Sequence, residues 1–178
     1  MSTLRTIGSG ALEFIASSGA ISDAANVSFT QFNSNIYDHY IFYLQYIIPV
    51  SDNVNLMMRT STDGGSSYAS TSGDYHTGGT ANSDGMKVAL NVGSDTNEYG
   101  VSGKFTLFAP HLPTYTYGDN TNILYGYALT STSIYRADAI FNSANMRLSA
   151  EDVNAVQFLQ SSGNIESGEI TMFGITNS

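Results

Sequence analysis

Carboxylates are the residues of this chain that could most readily do chemistry. Glycoside hydrolysis uses two carboxyl groups flanking the scissile bond, one as an acid and the other as a base or nucleophile. Five glutamates could supply such a pair: Glu13, Glu98, Glu151, Glu166 and Glu169. Their spacing selects no two of them, so a glycosidase is a hypothesis without an identified active site.

Potential metal ligands are present, but not at the spacing of metal sites. The three histidines, His39, His76 and His111, are 37 and 35 residues apart, without a His-x-x-x-His or His-x-His pair. Segments 95–98 and 119–122 could offer oxygen ligands to calcium from loops, yet neither completes an EF-hand pattern. No nucleophile elbow or phosphate-binding glycine loop occurs. We predict no catalytic, metal-binding or cofactor-binding residues, and a protein that is not an enzyme.

A short turn motif follows one of the predicted strands. Ser61, Asp63, Gly65 and Tyr68 have the spacing Ser-x-Asp-x-Gly-x-x-Tyr. This motif resembles the Asp-box hairpin of sialidases and other glycan-active propellers, with tyrosine in place of tryptophan. In those families it is an element of the fold and not of catalysis. Because the carboxylate can accept hydrogen bonds from turn amides while the glycines adopt positive φ, we predict a structural turn.

Four tyrosines form two i, i+2 pairs, Tyr115 with Tyr117 and Tyr125 with Tyr127. Residues two apart on a β-strand point to the same face, so each pair would place two rings side by side. Such a surface is suited to core packing, to a subunit contact or to stacking against sugars. The sequence leaves these three interpretations open.

Composition narrows the range of partners. The 178 residues include no cysteine, 15 acidic residues and 6 basic residues, which give a formal charge of −9. This charge repels phosphate backbones and anionic lipids, so we expect neither nucleic acid nor membrane as a partner. Without disulfides, stability must come from core packing or from assembly.

Short apolar runs separated by Gly, Asn, Asp and Ser predict an all-β chain of about eight strands. We predict a two-sheet antiparallel β-sandwich, jelly-roll-like, formed by residues 25–178. Residues 1–24 are predicted as an N-terminal arm or first strand, and residues 69–86, rich in Gly, Ser and Thr, as a long loop. Ten segments are candidates for these roughly eight strands: 12–16, 25–32, 40–48, 56–60, 87–92, 103–109, 123–129, 137–141, 155–160 and 168–175.

The candidate strand 40–48 is apolar or aromatic at every position except Gln45. A strand that is apolar on both faces is expected to be covered on both faces. The domain core would cover one of them. A second sheet, a neighbouring loop or another copy of the chain would cover the other.

Two segments together resemble small structural proteins of tailed bacteriophages: residues 37–68, YDHYIFYLQYIIPVSDNVNLMMRTSTDGGSSY, and residues 162–175, SGNIESGEITMFGI. In that group a Tyr-Asp-x-Tyr strand precedes an apolar-Arg strand and a Ser/Thr-Asp-Gly-Gly turn, and the chain closes on Ser-Gly-Asn-Ile-x-x-Gly-x-Ile-x-x-x-Gly. Phe173 stands where tyrosine is more usual. The resemblance brings no catalytic residue. It implies a β-sandwich displayed on the virion, as a capsid decoration or cement subunit or as part of a tail fibre or baseplate.

We therefore expect a non-enzymatic virion structural protein, assembled in the host bacterial cytoplasm, that stabilises the capsid as a decoration or cement subunit. It would act as a homo-oligomer, with a trimer favoured, and would contact major capsid or tail proteins, residues 1–24 extending over a neighbour. The alternatives are a tail fibre or baseplate component and a carbohydrate-recognition module. The module would bind host-surface glycans through residues 69–86 and 111–122.

Overall fold

The computed structural model describes residues 10–78, 80–95, 98–125 and 138–177. This part of the chain forms thirteen β-strands and no helix, which confirms the all-β prediction. Within it there is no helix of the length and hydropathy needed to cross a bilayer. The strands are β1 (Leu12–Ser17), β2 (Ile21–Ala24), β3 (Val27–Phe29), β4 (Tyr37–Pro49), β5 (Val54–Ser61), β6 (Tyr75–Thr77), β7 (Thr80–Ser83), β8 (Met86–Val92), β9 (Val101–Phe108), β10 (Tyr115–Tyr125), β11 (Asp138–Ala150), β12 (Ala155–Gln160) and β13 (Ile165–Thr176).

The strands form two antiparallel sheets that pack face to face. The larger sheet has the order β1-β13-β4-β9-β10-β11-β6-β7, with β2 also paired to β13, and the smaller has the order β3-β12-β5-β8. Without the additional strands β10, β11, β6 and β7, two four-stranded sheets remain, β1-β13-β4-β9 and β3-β12-β5-β8. The chain passes between them as in the two Greek keys of a jelly roll, so the predicted jelly-roll-like sandwich is confirmed.

The core lies between the two sheets and is rich in aromatic rings. Phe42 of β4 packs against Phe29 of β3 and Phe158 of β12, with ring centroids 5.5 and 5.2 Å apart. All three side chains are almost completely buried. Burying a side chain of this size stabilises the fold by roughly 1.5–3 kcal/mol. The inner face of β4 is therefore covered by the smaller sheet, as expected for a strand with apolar residues on that face.

The predicted long loop at residues 69–86 is wrong, because this segment contains β6 and β7. β6 pairs with β11 and extends the larger sheet. Tyr75 anchors it: the ring is fully buried, and its hydroxyl accepts the Thr60 N–H (2.8 Å) and donates to the Ala69 carbonyl (3.0 Å). These two strands are only three and four residues long. β7 contains alanine and asparagine, which have weak strand propensity, and both strands are too short to be stable alone, so tertiary pairing forms them.

The predicted strand at 123–129 also differs from the structure, since β10 begins eight residues earlier, at Tyr115. Residues 126–129 lie outside the described residues. The polar stretch Gly118 to Asn122, which is unfavourable for a strand by propensity, is paired on both sides, with β9 and with β11.

Asparagine side chains explain why this polar stretch is held in the sheet. β8 is an edge strand of the smaller sheet, and its backbone groups face β10 and β11. Asn120 and Asn122 each donate to the Val88 carbonyl (2.8 and 2.7 Å), and Asn145 Oδ1 accepts the Lys87 N–H (2.9 Å). All three asparagines are buried. Their amides thus replace the missing strand partner of β8, which would otherwise leave buried backbone groups unpaired.

Residues 12–24, within the segment that we predicted as an arm or first strand, form β1 and β2. Both strands pair with β13 at the edge of the larger sheet. The segment expected to extend over a neighbour is therefore part of the sandwich from residue 12 onward. Residues 1–9 lie outside the described residues.

Candidate functional site

The motif of Ser61, Asp63, Gly65 and Tyr68 forms one compact turn after β5. Ser67 donates to the Asp63 carboxylate from both its N–H (2.9 Å) and its hydroxyl (2.6 Å), and the Ser61 hydroxyl donates to it at 2.7 Å. These hydrogen bonds hold the pKa of Asp63 far below its usual range. Gly65 has a φ of +90° and lies against the Tyr68 hydroxyl. The motif satisfies its own hydrogen bonds, so its geometry is that of a structural turn.

The histidines do not meet. His39 is on β4 and His76 is on β6, four strands apart in the larger sheet, or about 19 Å at 4.8 Å per strand. His111 lies in the connection between β9 and β10. Within the described ranges, no three His, Asp or Glu side chains lie close enough together to hold a metal ion.

The candidate glutamates have separate local partners. Glu13 accepts the Tyr37 hydroxyl (3.3 Å), Glu98 accepts the Asp95 N–H (2.8 Å) and Glu169 accepts the Ser17 hydroxyl (2.5 Å). A further candidate, Glu151, forms an ion pair with Arg147 at 3.8 Å. Each of these four carboxylates therefore serves a different local contact.

The calcium hypothesis for residues 119–122 is contradicted by their conformation. These residues lie in the middle of β10, where successive side chains point to opposite faces. Asp119 and Thr121 are exposed, whereas Asn120 and Asn122 are buried against β8. Four oxygens arranged in this way cannot converge on one cation. Of the other segment, 95–98, two residues lie outside the described residues.

Two of the four candidate tyrosines, Tyr115 and Tyr117, have described side chains. Tyr115 and Tyr117, 49% and 52% exposed, lie at the start of β10 with a bulge between them. Tyr125 ends the same strand, about 26 Å from Tyr117 at 3.3 Å per residue. The Tyr125 side chain and the whole of Tyr127 lie outside the described residues. Of the three interpretations, core packing is therefore wrong for Tyr115 and Tyr117, which face outward.

The outer side of the larger sheet carries a continuous row of apolar and aromatic residues. Cross-strand pairs link Leu12 to Ile175, Ile175 to His39, His39 to Phe108 and Phe108 to Tyr117. The next row begins with the pairs Phe14–Phe173 and Phe173–Ile41. We call this surface the aromatic face; it consists of Leu12, Phe14, His39, Ile41, Tyr43, Phe108, Tyr117, Phe173 and Ile175.

Edge-to-face ring contacts order the aromatic face. The Phe173 ring packs against Phe14 at 5.9 Å and against Tyr43 at 5.5 Å, and Phe108 packs against His39 at 5.7 Å. His39 Nδ1 accepts the Ala109 N–H at 3.0 Å, which fixes the imidazole plane. The rings are thus oriented before any partner binds.

The aromatic face is large for an uncovered surface. Its five most exposed members present about 500 Å² of side chain, taking each as roughly 200 Å² when fully exposed. The largest apolar patch of a typical monomer is ~300–600 Å² and is often functional. Two charged residues border it on the same side of the sheet: Lys104 pairs with Tyr43, and Asp119 is two residues from Tyr117 on β10.

Sequence analysis identified one member of this surface as a candidate contact, Tyr117, and missed the others. Phe14, His39 and Phe108 come from strands distant in the chain, so no local pattern groups them. The available indication was strand 40–48, which has apolar residues on its outer side too, Ile41 and Tyr43. In the described part of the chain neither a second sheet nor a loop covers this outer side, where Tyr43 is exposed. Cover by another copy of the chain stays a prediction.

Comparison with models of known protein families finds no match, and a search of curated proteins also finds no similar sequence. The jelly-roll architecture and the aromatic face are therefore the basis for assigning a function.

Proposed function

We propose that this chain is a non-enzymatic structural protein of a bacteriophage virion, which decorates and stabilises the capsid as a homo-oligomer. The observation that carries the proposal is the aromatic face. Its ordered rings present about 500 Å², more than half of the ~800 Å² that each partner contributes to a stable interface. Burying them removes apolar surface from water, which is the main driving force of association.

The occupant that we propose for the aromatic face is a second copy of the chain. Because each copy has a charge of −9, copies repel each other unless they meet at an uncharged surface. The aromatic face is such a surface. At its border Lys104, opposite Tyr43, forms no ion pair with any other described residue, and Asp119 is exposed on the adjacent strand. Three copies arranged around a three-fold axis can therefore pair Lys104 of each copy with Asp119 of the next, around an apolar centre.

The virion assignment is supported by the resemblance of residues 37–68 and 162–175 to structural proteins of tailed bacteriophages. The jelly-roll architecture suits a decoration subunit, assembled in the host cytoplasm and bound to the major capsid protein. We favour a trimer. A tail fibre or baseplate component is the alternative within the same class, and the aromatic face would serve it in the same way.

Two measurements test the proposal. Multi-angle light scattering of the purified chain should give a molar mass near three times 19.0 kDa. Antibodies raised against the chain should label purified particles of the virus that encodes it, on the capsid for a decoration protein and on the tail for the alternative. A monomer at high concentration refutes the oligomer, and particles that carry no copy of the chain refute the virion assignment.

A further inference from the structure

β4 contains a bulge at Tyr46 that breaks its alternation. Leu44 pairs with Gly103 and Ile47 pairs with Val101, so β4 advances by three residues where β9 advances by two. One extra residue is therefore inserted in β4. Tyr46 takes a left-handed φ of +48°, which is rare for a bulky residue and carries backbone strain.

Three neighbouring residues support this bulge. The Ser102 hydroxyl accepts the Tyr46 N–H at 2.9 Å, replacing a ladder hydrogen bond. Gly168, on β13, leaves room for the displaced carbonyls, because a Cβ there would lie 2.6 Å from the Tyr46 oxygen. Gly100 does the same before β9, where a Cβ would lie 2.2 Å from the Ile47 oxygen. The sequence thus encodes the strained conformation at several positions.

The bulge turns the Tyr46 ring out of the sheet, where it is 66% exposed. Tyr99, 49% exposed, lies beside it, and the cross-strand pair of Ser102 and Ile123 forms the floor between them. Together with Gly100 these residues line an open depression of about 500 Å³. Ile123 is six residues, or about 20 Å, from Tyr117 along β10. Ser102 is two residues from Lys104, which pairs with Tyr43, so the depression adjoins the Tyr43 edge of the aromatic face.

We propose that this depression, the tyrosine pocket, binds a neutral pyranose ring of a glycan. A pyranose presents an apolar C–H face that stacks on tyrosine, and hydroxyl groups that bond to phenol and serine oxygens. None of the five lining residues carries a charge, and the charge of −9 disfavours anionic sugars. The volume is within the range of small-molecule sites, ~300–1,000 Å³.

This site differs from the glycan-binding segments 69–86 and 111–122 that the sequence indicated, and it does not depend on the proposed oligomer. The exposed Tyr46 ring is held by a strained bulge that several residues support, and the Tyr99 ring beside it is also exposed. Exposed rings are costly to maintain in water. Rings that are held in place before the ligand binds lose little conformational entropy on binding, so stacking of a ligand on them would offset the free energy of the strain and the exposure.

Saturation-transfer NMR with the full chain in its solution oligomeric state tests the inference. The probes are the methyl glycosides of glucose, galactose, mannose, N-acetylglucosamine and rhamnose, with methyl glucuronide as the anionic counterpart of the glucoside. We expect transfer to at least one neutral sugar, with a roughly millimolar Kd, and weaker transfer to the glucuronide. Absence of transfer to every neutral sugar, or preference for the glucuronide, overturns the proposal.

Variants separate the pocket from other surfaces. Tyr46→Gly removes the ring and suits the left-handed backbone, so it should weaken sugar binding at least about tenfold. Tyr99→Ala should weaken binding similarly. The control Tyr115→Ala removes an equally exposed ring at the other end of β10 and should leave binding unchanged. Unaltered binding in both pocket variants refutes the assignment.

Discussion

Replacing Tyr117 by serine tests whether the aromatic face joins copies of the chain. The Tyr117 side chain is 52% exposed, which corresponds to about 100 Å² for a ring of roughly 200 Å². If this area is buried in each contact, its loss weakens that contact by about 2.5 kcal/mol at 25 cal/mol per Å². The dissociation constant should rise about 60-fold. Because the ring is exposed in the monomer, the free energy of unfolding of the subunit should change by no more than about 0.5 kcal/mol.

Light scattering across a dilution series, paired with urea unfolding of the dissociated subunit, measures both quantities. Val50→Ser is the matched control, since Val50 is 50% exposed in the connection between β4 and β5 and lies outside the aromatic face. We expect Tyr117→Ser to shift the dissociation midpoint to higher concentration and Val50→Ser to leave it in place. Equal shifts for the two variants, or none for either, would show that the aromatic face does not form the subunit contact.

Three further changes test the physical basis of the fold. Asn145→Leu removes the 2.9 Å acceptor of the Lys87 N–H, which then keeps only the longer hydrogen bond to Thr77 Oγ1 at 3.3 Å, so the free energy of unfolding in urea should fall by about 1–3 kcal/mol. Asn142→Leu, on the exposed face of the same strand, should lower it by less than about 0.5 kcal/mol. Burial raises the pKa of Glu98, and nearby carboxylates raise it further, so its ionised form destabilises the folded state. Glu98→Gln should therefore raise the melting temperature at pH 7, and this gain should vanish below the unfolded-state pKa of 4.5; a gain independent of pH would contradict the argument. Gly168→Ala places a Cβ against the bulge carbonyls and should lower the free energy of unfolding at least twice as much as Gly19→Ala. The control Gly19→Ala loses only roughly 1–2 kcal/mol from its positive φ, because its Cβ meets no atom within 4 Å. Equal losses for the two variants would show that the bulge does not require that space.

Strands with regular alternation could be predicted from the sequence. The predicted segment 103–109 corresponds to β9, and 168–175 lies within β13. β13 alternates between a buried and a more exposed side, and in β9 Phe105 and Leu107 point to the core, although Thr106 between them is also buried. The alternation of side chains depends on the strand itself. The start of β10 was missed because its Asn and Gly residues have poor strand propensity. Their place in the sheet depends on hydrogen bonds to β8, about thirty residues away in the chain, which propensity does not include.

The aromatic face could be predicted only in part. The outer-side residues Ile41 and Tyr43 of β4 and the pair Tyr115 and Tyr117 indicated apolar surface, but not its extent. Phe14 reaches this surface because β1 pairs with β13 near the other end of the chain. This pairing joins strands that are far apart in the chain and forms when the sandwich closes, so the spacing of neighbouring residues does not predict it.

The sequence by itself determined the all-β class, the period-two strands and the turn around Asp63, because these depend on interactions between residues close together in the chain. The tertiary structure alone decided which sheet face is covered, which strands bring their rings together and where Tyr46 points. A single inserted residue in β4 reverses the facing of every later side chain in that strand. That insertion is stabilised by Ser102, Gly100 and Gly168 from other segments, so it becomes visible only when the strands are assembled.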